Sequence, residues 1–295
     1  MADSISIVLI TCNRDESLKK CLESVACQSD KPDEIIIVDN GSRDKTGNAV
    51  SFYRDRLPVC YTYIPRVSIP EARNLAIKQS GEDVLIMIDD DCVLEPDHVR
   101  KVKECYAQNP DIDYLAYKID YLDSSTLLNK VFVLSLQSFF KRKYFPDDLP
   151  IRRGYLSMGY STIASVRRNV LQRLPYVFDN NFLVSEDIEL SIRLKKAGCR
   201  VYFDPDIVVY HDCVFSSFFA FIKRYFFYAR GEVALKRRHG HSEVTPKVKD
   251  YFNFIISIFK SGRLNPAEKI LISAIYSIRS VSYLCGYLFW RLFSS

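Results

Sequence analysis

Four short apolar runs, ISIVLI, EIIIVDN, VCYTYI and VLIMID, punctuate the first 95 residues and leave few folds open. They are rich in β-branched residues, the composition of strands covered on both faces in a parallel sheet. Between the first two, Leu18, Cys21, Leu22 and Val25 recur at helical spacing behind the polar start TCNRDES. Strand, helix and strand in about 35 residues make a βαβ unit, which crosses over right-handed. After the third strand, Pro70 stands where a first helical turn tolerates it and Gly81 where a helix cap belongs. The chain therefore reads as α/β.

In open α/β sheets the loops at the carboxyl ends of parallel strands bind ligands, and Thr11, Asp39 and the run Asp89-Asp90-Asp91 all fall there. Three consecutive carboxylates repel one another unless a cation sits among them, which points to a hard divalent metal. Roughly a hundred residues later Glu186-Asp187 opens the helical pattern SEDIELSIRLKKAG. Acids in a first turn suit the positive end of a helix, and Lys195-Lys196 suit its last turn. That second acidic site supplies a carboxylate able to take a proton. A metal holding a diphosphate and a carboxylate facing it are what group transfer from an activated nucleotide needs.

Residues 96–150 are less distinct: a helix near 97–108, a strand near 113–121, then the apolar stretch LLNKVFVLSLQSFFKRKYF. Definition returns over 151–213, with MGYSTIASVRRNVL, YVFDNNFLVSED, the acidic helix ending at Gly198, and a strand pair, CRVYF and IVVYH. Beyond His211, aromatic and aliphatic residues interleave with Arg and Lys. The last stretch approaches spanning length, but Arg279 near its middle is costly in a bilayer. Helices lying in the membrane interface with snorkelling basic side chains are the expectation for 214–295. The same helices could serve as an oligomer interface, a homodimer among the options.

A chain of 295 residues with net charge +5 fits one catalytic domain with an appendage and anionic partners such as nucleotides or lipid headgroups. The charge is too weak to argue for nucleic acid. Nine scattered cysteines, with no C-x-x-C pair, read as reduced thiols. MADS leads straight into the first strand without a secretory signal, so a cytoplasmic location is expected for the catalytic part.

VLITCNR, IIIVDNGSRDKT, ARNLAI, IDDDCVLEP, YVFDNNFLVSEDIELSIRLKKAG and VYFDPDIVVYH, in this order and spacing, resemble the inverting family 2 glycosyltransferases with a GT-A fold. The resemblance covers residues 4 to about 213. It implies a GT-A, Rossmann-like, mixed but mostly parallel sheet flanked by helices, with amphipathic helices behind it. Residues 1–95 would form the nucleotide-binding half and 96–213 the acceptor half. It also implies a nucleoside-diphosphate sugar donor (UDP, dTDP or GDP form), with Thr11, Asn13 and Asp39 meeting base and ribose. Arg73 would lie near the diphosphate, and Asp89 and Asp90 near the ribose or the outer shell of the ion. Asp91, joined by His211 from the end of IVVYH, would ligate Mn²⁺ or Mg²⁺. Inversion requires a base opposite the leaving diphosphate, which makes Asp187 the expected catalytic base and Glu186 an acceptor-orienting residue. Taken alone, Asp39-Asn40-Gly41 reads equally as a turn, and Glu186-Asp187 as helix-start carboxylates.

Two departures bear on the acceptor. Tyr176-Val177 precede Phe178-Asp179 where many relatives carry Gly, and the Asn often found before the Arg-Arg segment is absent from GYSTIASVRR. The chain also lacks the Q-x-x-R-W element of processive synthases, which favours a single sugar addition. The expected activity is transfer of a sugar to a hydroxyl of a lipid-linked or glycan acceptor at the cytoplasmic face of the plasma membrane. A polyprenyl-phosphate acceptor, a nucleotidyltransferase and a non-catalytic scaffold stand as alternatives. The nucleotidyltransferase is disfavoured because no Gly-rich basic loop lies near the N-terminus.

Overall fold

The computed structural model describes residues 3–293 except 123–124, 145–151, 160, 213–214, 216 and 241–246, and the side chains of 140–144. The chain forms two compact units. The first comprises Met1–Leu122 and Ile151–Asp212, the second Asp123–Pro150 and Cys213–Ser295.

The first unit is built on a nine-stranded mixed sheet. β1 (Ile5–Thr11) lies parallel between β2 (Glu34–Asn40) and β4 (Val84–Met87), and β3 (Val59–Ile64) extends the parallel set beyond β2. These are the four runs anticipated from sequence. Every residue of β4 is buried, as are all but one in β1 and in β2, as expected for strands covered on both faces. β8 (Ala164–Arg167) pairs antiparallel with β4 and with β6 (Tyr114–Tyr121). β6 runs parallel to β9 (Val201–His211), which also carries β5 (Cys92–Leu94) and β7 (Gly154–Leu156) antiparallel.

Helices cover the sheet. α1 (Asp15–Ala26) buries Leu18, Cys21, Leu22 and Val25, the stripe read from the sequence. α2 (Thr46–Tyr53) packs beside it and closes the crossover to β3. α3 (Ile69–Gln79) starts with Ser68 as N-cap, its hydroxyl accepting the Glu71 N–H, and with Pro70 in the first turn. The cap expected at Gly81 is instead Ser80, extended at φ −68°. An extended cap needs no positive φ, so glycine is not required there. α4 (His98–Gln108) matches the helix expected near 97–108.

CRVYF and IVVYH, read as a pair, are one strand. β9 is continuous, but its register against β6 shifts between Tyr117 and Lys118, where Pro205 and its neighbours are looped out. Proline cannot donate to the ladder, so a bulge lets the strand pass it without ending. α6 (Arg168–Gln172) and α7 (Glu186–Lys196) complete the unit; the latter is the acidic helix.

The second unit is helical, comprising α5 (Leu127–Tyr144), α8 (Phe218–His239), α9 (Val248–Lys260) and α10 (Pro266–Phe293). Residues 123–150, which the sequence reading assigned to the acceptor half, belong here, because α5 packs on α10 and Lys130 pairs with Glu268. Where α8 and α10 meet, Gly286 lies so close to the Phe226 backbone that a Cβ would collide with its carbonyl oxygen. Arg279 does not face outward; its guanidinium is sandwiched 4.1 Å from the Tyr225 ring and 4.6 Å from Tyr276. The opposite face of α10 exposes Ile270, Leu271, Ile278, Val281, Leu284, Leu288 and Leu292. Among the described residues, α10 is the one helix long and apolar enough to cross a bilayer.

Candidate active site

The aspartate run leaves β4 and turns through residues 89–91 into β5. This placement spreads the three carboxylates over different partners. Asp89 accepts from Arg73 Nη2 at 2.8 Å. Asp90, almost fully buried, accepts from the Thr11 hydroxyl at 2.7 Å and from Arg14 Nη1 at 3.1 Å. Asp91, 8% exposed, accepts from the same Arg14 nitrogen at 2.6 Å through Oδ2. Burial pushes the Asp90 carboxyl up to about 6, with Arg14 and Thr11 holding it down and its neighbouring aspartates pushing it further up. Burial also works against the charge on Arg14, but the carboxylates of Asp90 and Asp91 outweigh it and keep the guanidinium protonated.

His211 comes from the end of β9, where its backbone pairs with Cys92 of β5. That register brings imidazole Nε2 to 3.3 Å from Asp91 Oδ1 and 3.9 Å from Asp89 Oδ2. Asp91 Oδ1 is buried and makes no hydrogen bond. A carboxylate oxygen that accepts no hydrogen bond, beside an imidazole, is a donor set suited to a divalent cation. Cys92 Sγ lies within 4.8 Å of both donor atoms. Its thiol is buried, and burial raises its pKa well above the ordinary value.

Arg73, on α3, joins this cluster to the second acidic site. One guanidinium nitrogen binds Asp89, the other Glu186, and the group lies 5.7 Å from the Phe178 ring centroid. Burial opposes the charge on Arg73, but Asp89, Glu186 and Asp187 together hold it protonated. Glu186 and Asp187 open α7 behind Ser185, a non-glycine residue in the left-handed region at φ 65°. Asp187 Oδ1 accepts its neighbour's N–H, that of Ile188. The carboxyl of Asp187 is pushed up to about 7, first by burial and then by the Glu186 charge, with Arg73 pulling the other way.

Thr11, Arg73, Asp89, Asp90, Asp91, Glu186, Asp187 and His211 thus form one linked network of charges and hydrogen bonds. Asp39 and Asn13 stand beside it. Asp39 is buried, with Oδ1 accepting the Ser42 N–H at 2.8 Å and Oδ2 the Tyr61 hydroxyl at 2.6 Å. Its first role is thus to hold the turn after β2. Asn13 is exposed and left-handed at φ 54°, and its Oδ1 accepts the Arg43 N–H. A separate cleft of about 300 Å³, between α1 and α2, holds none of these residues.

Arg14 and Asn74 were not singled out in the sequence. Asn74 fixes the segment facing α3: its Nδ2 donates to the Phe178 carbonyl and its Oδ1 accepts the Phe178 N–H, both at 2.8 Å. A basic residue directly after a β-strand's exit loop, facing an acidic run, was the available signal for Arg14. Nothing in the spacing of ARN distinguished Asn74 from a solvated helix residue.

Comparison with known proteins decides the family. The model of glycosyl transferase family 2 matches residues 6–174. The chain belongs to that family, and it spans between about a quarter and just under two thirds of the length of the first curated relatives it matches. It is 25% identical over 211 residues to the O-antigen chain rhamnosyltransferase RfbN of Salmonella typhimurium, a match covering 70% of this chain and 66% of that relative. Among solved structures, a mannosyltransferase from Pyrobaculum calidifontis in complex with GDP-Man and Mn²⁺ superposes over 100% of this chain and 88% of its own, with TM-score 0.66 and 14% identity. Residues 1–349 of S. aureus TarS in complex with UDP-GlcNAc superpose with TM-score 0.58 and 16% identity, covering 98% and 92% of the two chains. The mixed, mostly parallel sheet flanked by helices is therefore a GT-A fold.

Proposed function

We propose that this glycosyltransferase is metal-dependent and inverting, and that it transfers a sugar from a nucleoside-diphosphate sugar to a hydroxyl of a lipid-linked or glycan acceptor in envelope polysaccharide assembly. The observation that carries the proposal is the 3.3 Å approach of His211 Nε2 to the unbonded Asp91 Oδ1, in a network that reaches Asp187 through Asp89 and Arg73. The relatives named for rhamnosyl transfer and for complexes with UDP-GlcNAc and GDP-Man support a nucleotide-sugar donor.

Asp91 and His211 would hold Mn²⁺ or Mg²⁺. Bound there, the ion would neutralise charge developing on the departing diphosphate. Thr11, Asn13, Asp39 and Arg73 would line the nucleotide-sugar site, with Asp89 and Asp90 beside them. Asp187 takes the proton of the acceptor hydroxyl as that oxygen attacks the anomeric carbon from the side opposite the diphosphate. Glu186, tied to Arg73, holds the start of α7 and orients the acceptor. Residues 1–122 and 151–212 would carry this chemistry, and the exposed apolar face of α10 would rest on the cytoplasmic surface of the membrane.

A thermal-shift screen of UDP, dTDP and GDP and their sugars, with and without Mn²⁺, tests the reading, since specific binding raises apparent stability by mass action. Stabilisation by one nucleotide should require Mn²⁺ and be lost in Asp91→Asn and His211→Ala. Equal stabilisation in EDTA would remove metal dependence from the proposal.

A further inference from the structure

Arg14 holds the carboxylate pair that the proposed function gives to a divalent cation. One guanidinium nitrogen, Nη1, donates to Asp90 Oδ1 at 3.1 Å and to Asp91 Oδ2 at 2.6 Å. Asp91 is therefore occupied on one oxygen, while its other oxygen stays buried, unbonded and turned toward His211. The backbone behind Arg14 is pinned. Asn13 N–H donates to Ser42 Oγ at 2.8 Å, Asn13 Oδ1 accepts from Arg43, and Arg14 N–H donates to Thr46 Oγ1 at 3.3 Å. The side chain itself is 46% exposed and held at its head by the two aspartates. It is a tethered cation with a fixed root and a free stem.

We propose that Arg14 is a built-in counter-cation that competes with the divalent metal for the Asp90–Asp91 pair and moves its guanidinium onto the phosphates of a nucleoside diphosphate, so that metal and nucleotide bind as a pair. This inference rests on the metal reading of Asp91 and His211. In the free enzyme the guanidinium stabilises carboxylates that would otherwise repel one another, and a metal arriving alone must displace it into water. When a diphosphate arrives as well, the displaced guanidinium gains phosphate oxygens as acceptors, for which its planar fork is suited. The two ligands thereby help each other beyond the attraction between ion and diphosphate. Lysine could satisfy the charge and both carboxylates from one ammonium, but it lacks the planar fork that takes two phosphate oxygens together.

The test is a Mn²⁺ titration of the full chain, following free Mn²⁺ by electron paramagnetic resonance, with no nucleotide and with UDP, dTDP or GDP. In the wild type, metal affinity should rise at least tenfold with whichever nucleotide binds. In Arg14→Gln, affinity for Mn²⁺ alone should rise at least fivefold and the nucleotide enhancement should shrink at least threefold, with Arg14→Lys between the two. Metal-only affinity in Arg14→Gln at or below the wild-type value, in protein whose thermal unfolding is cooperative, overturns the inference while leaving the metal site standing. His211→Ala that binds Mn²⁺ like the wild type, with nucleotide present, would instead remove the metal reading and this inference with it.

Discussion

The raised proton affinity of Asp187 comes at a cost to the fold. Its carboxyl is raised to about 7 by burial and the adjoining Glu186, so the folded protein binds this proton more tightly than the unfolded chain does. A raised carboxyl pKa contributes stability at low pH that is lost as pH rises from the ordinary aspartate value through about 7. Asp187→Asn removes the charged form. The variant should therefore unfold at a higher temperature than the wild type at pH 8 in EDTA, by about 1–3 kcal/mol of stability, and the gap should close below pH 4. Its kcat should fall about 10²–10⁴-fold with nucleotide affinity within threefold of the wild type. Turnover near normal would point instead to an acceptor, such as a phosphate, that needs no base. At this scale the meeting of Asp91 with His211 could be anticipated from residue type, order and separation taken as a set. Arg14 was not: a lone arginine after a strand acquires meaning only when the left-handed turn at Asn13 aims it at the aspartates.

Two elements owe their placement to side chains that no periodicity reveals. The Phe178 segment is held on α3 by the paired hydrogen bonds of Asn74, and Tyr176 and Val177 by the Arg193 guanidinium on α7, which donates to both carbonyls. Asn74→Ala strands the backbone groups of a residue that is 1% exposed. It should cost about 1–3 kcal/mol in urea unfolding, read as a lower midpoint at unchanged slope. Gly159 is constrained from the other side. A Cβ there would lie 2.7 Å from the ring of Tyr114, which is buried and hydrogen-bonded to the Ser161 carbonyl at 2.5 Å. Gly159→Ala should cost a similar about 1–3 kcal/mol, because a packed ring has nowhere to retreat. The strands of the parallel set were readable since burial on both faces leaves an unbroken apolar run. α2 was not, because TGNAVSFY carries a glycine and too little amphipathic contrast, and β9 read as two strands because Pro205 mimics a break.

Across the whole molecule, the sequence located the end of the sheet near His211 but not the partnership of α5 with the C-terminal helices, since an apolar helix does not declare which neighbour covers it. It also misread the consequence of Arg279, which is shielded between two tyrosine rings and leaves the outer face of α10 free of charge from Ile270 to Phe289. Lys247, Lys249, Lys260 and Arg263 lie exposed in the same unit. Ile278→Asp with Leu284→Asp should therefore abolish co-sedimentation of the full chain with anionic phospholipid vesicles while leaving nucleotide binding unchanged. Retained vesicle binding by the double variant would assign that face to another partner.

The interleaving of the two units has a bearing on biogenesis. On a growing chain, α5 emerges well ahead of α8, α9 and α10, so its apolar side must wait uncovered, through synthesis of the rest of the catalytic half, for the last helix to arrive. Shortening the gene from its 3′ end would orphan α5 as well as remove the tail, which makes the helical unit an all-or-nothing module rather than a trimmable appendage.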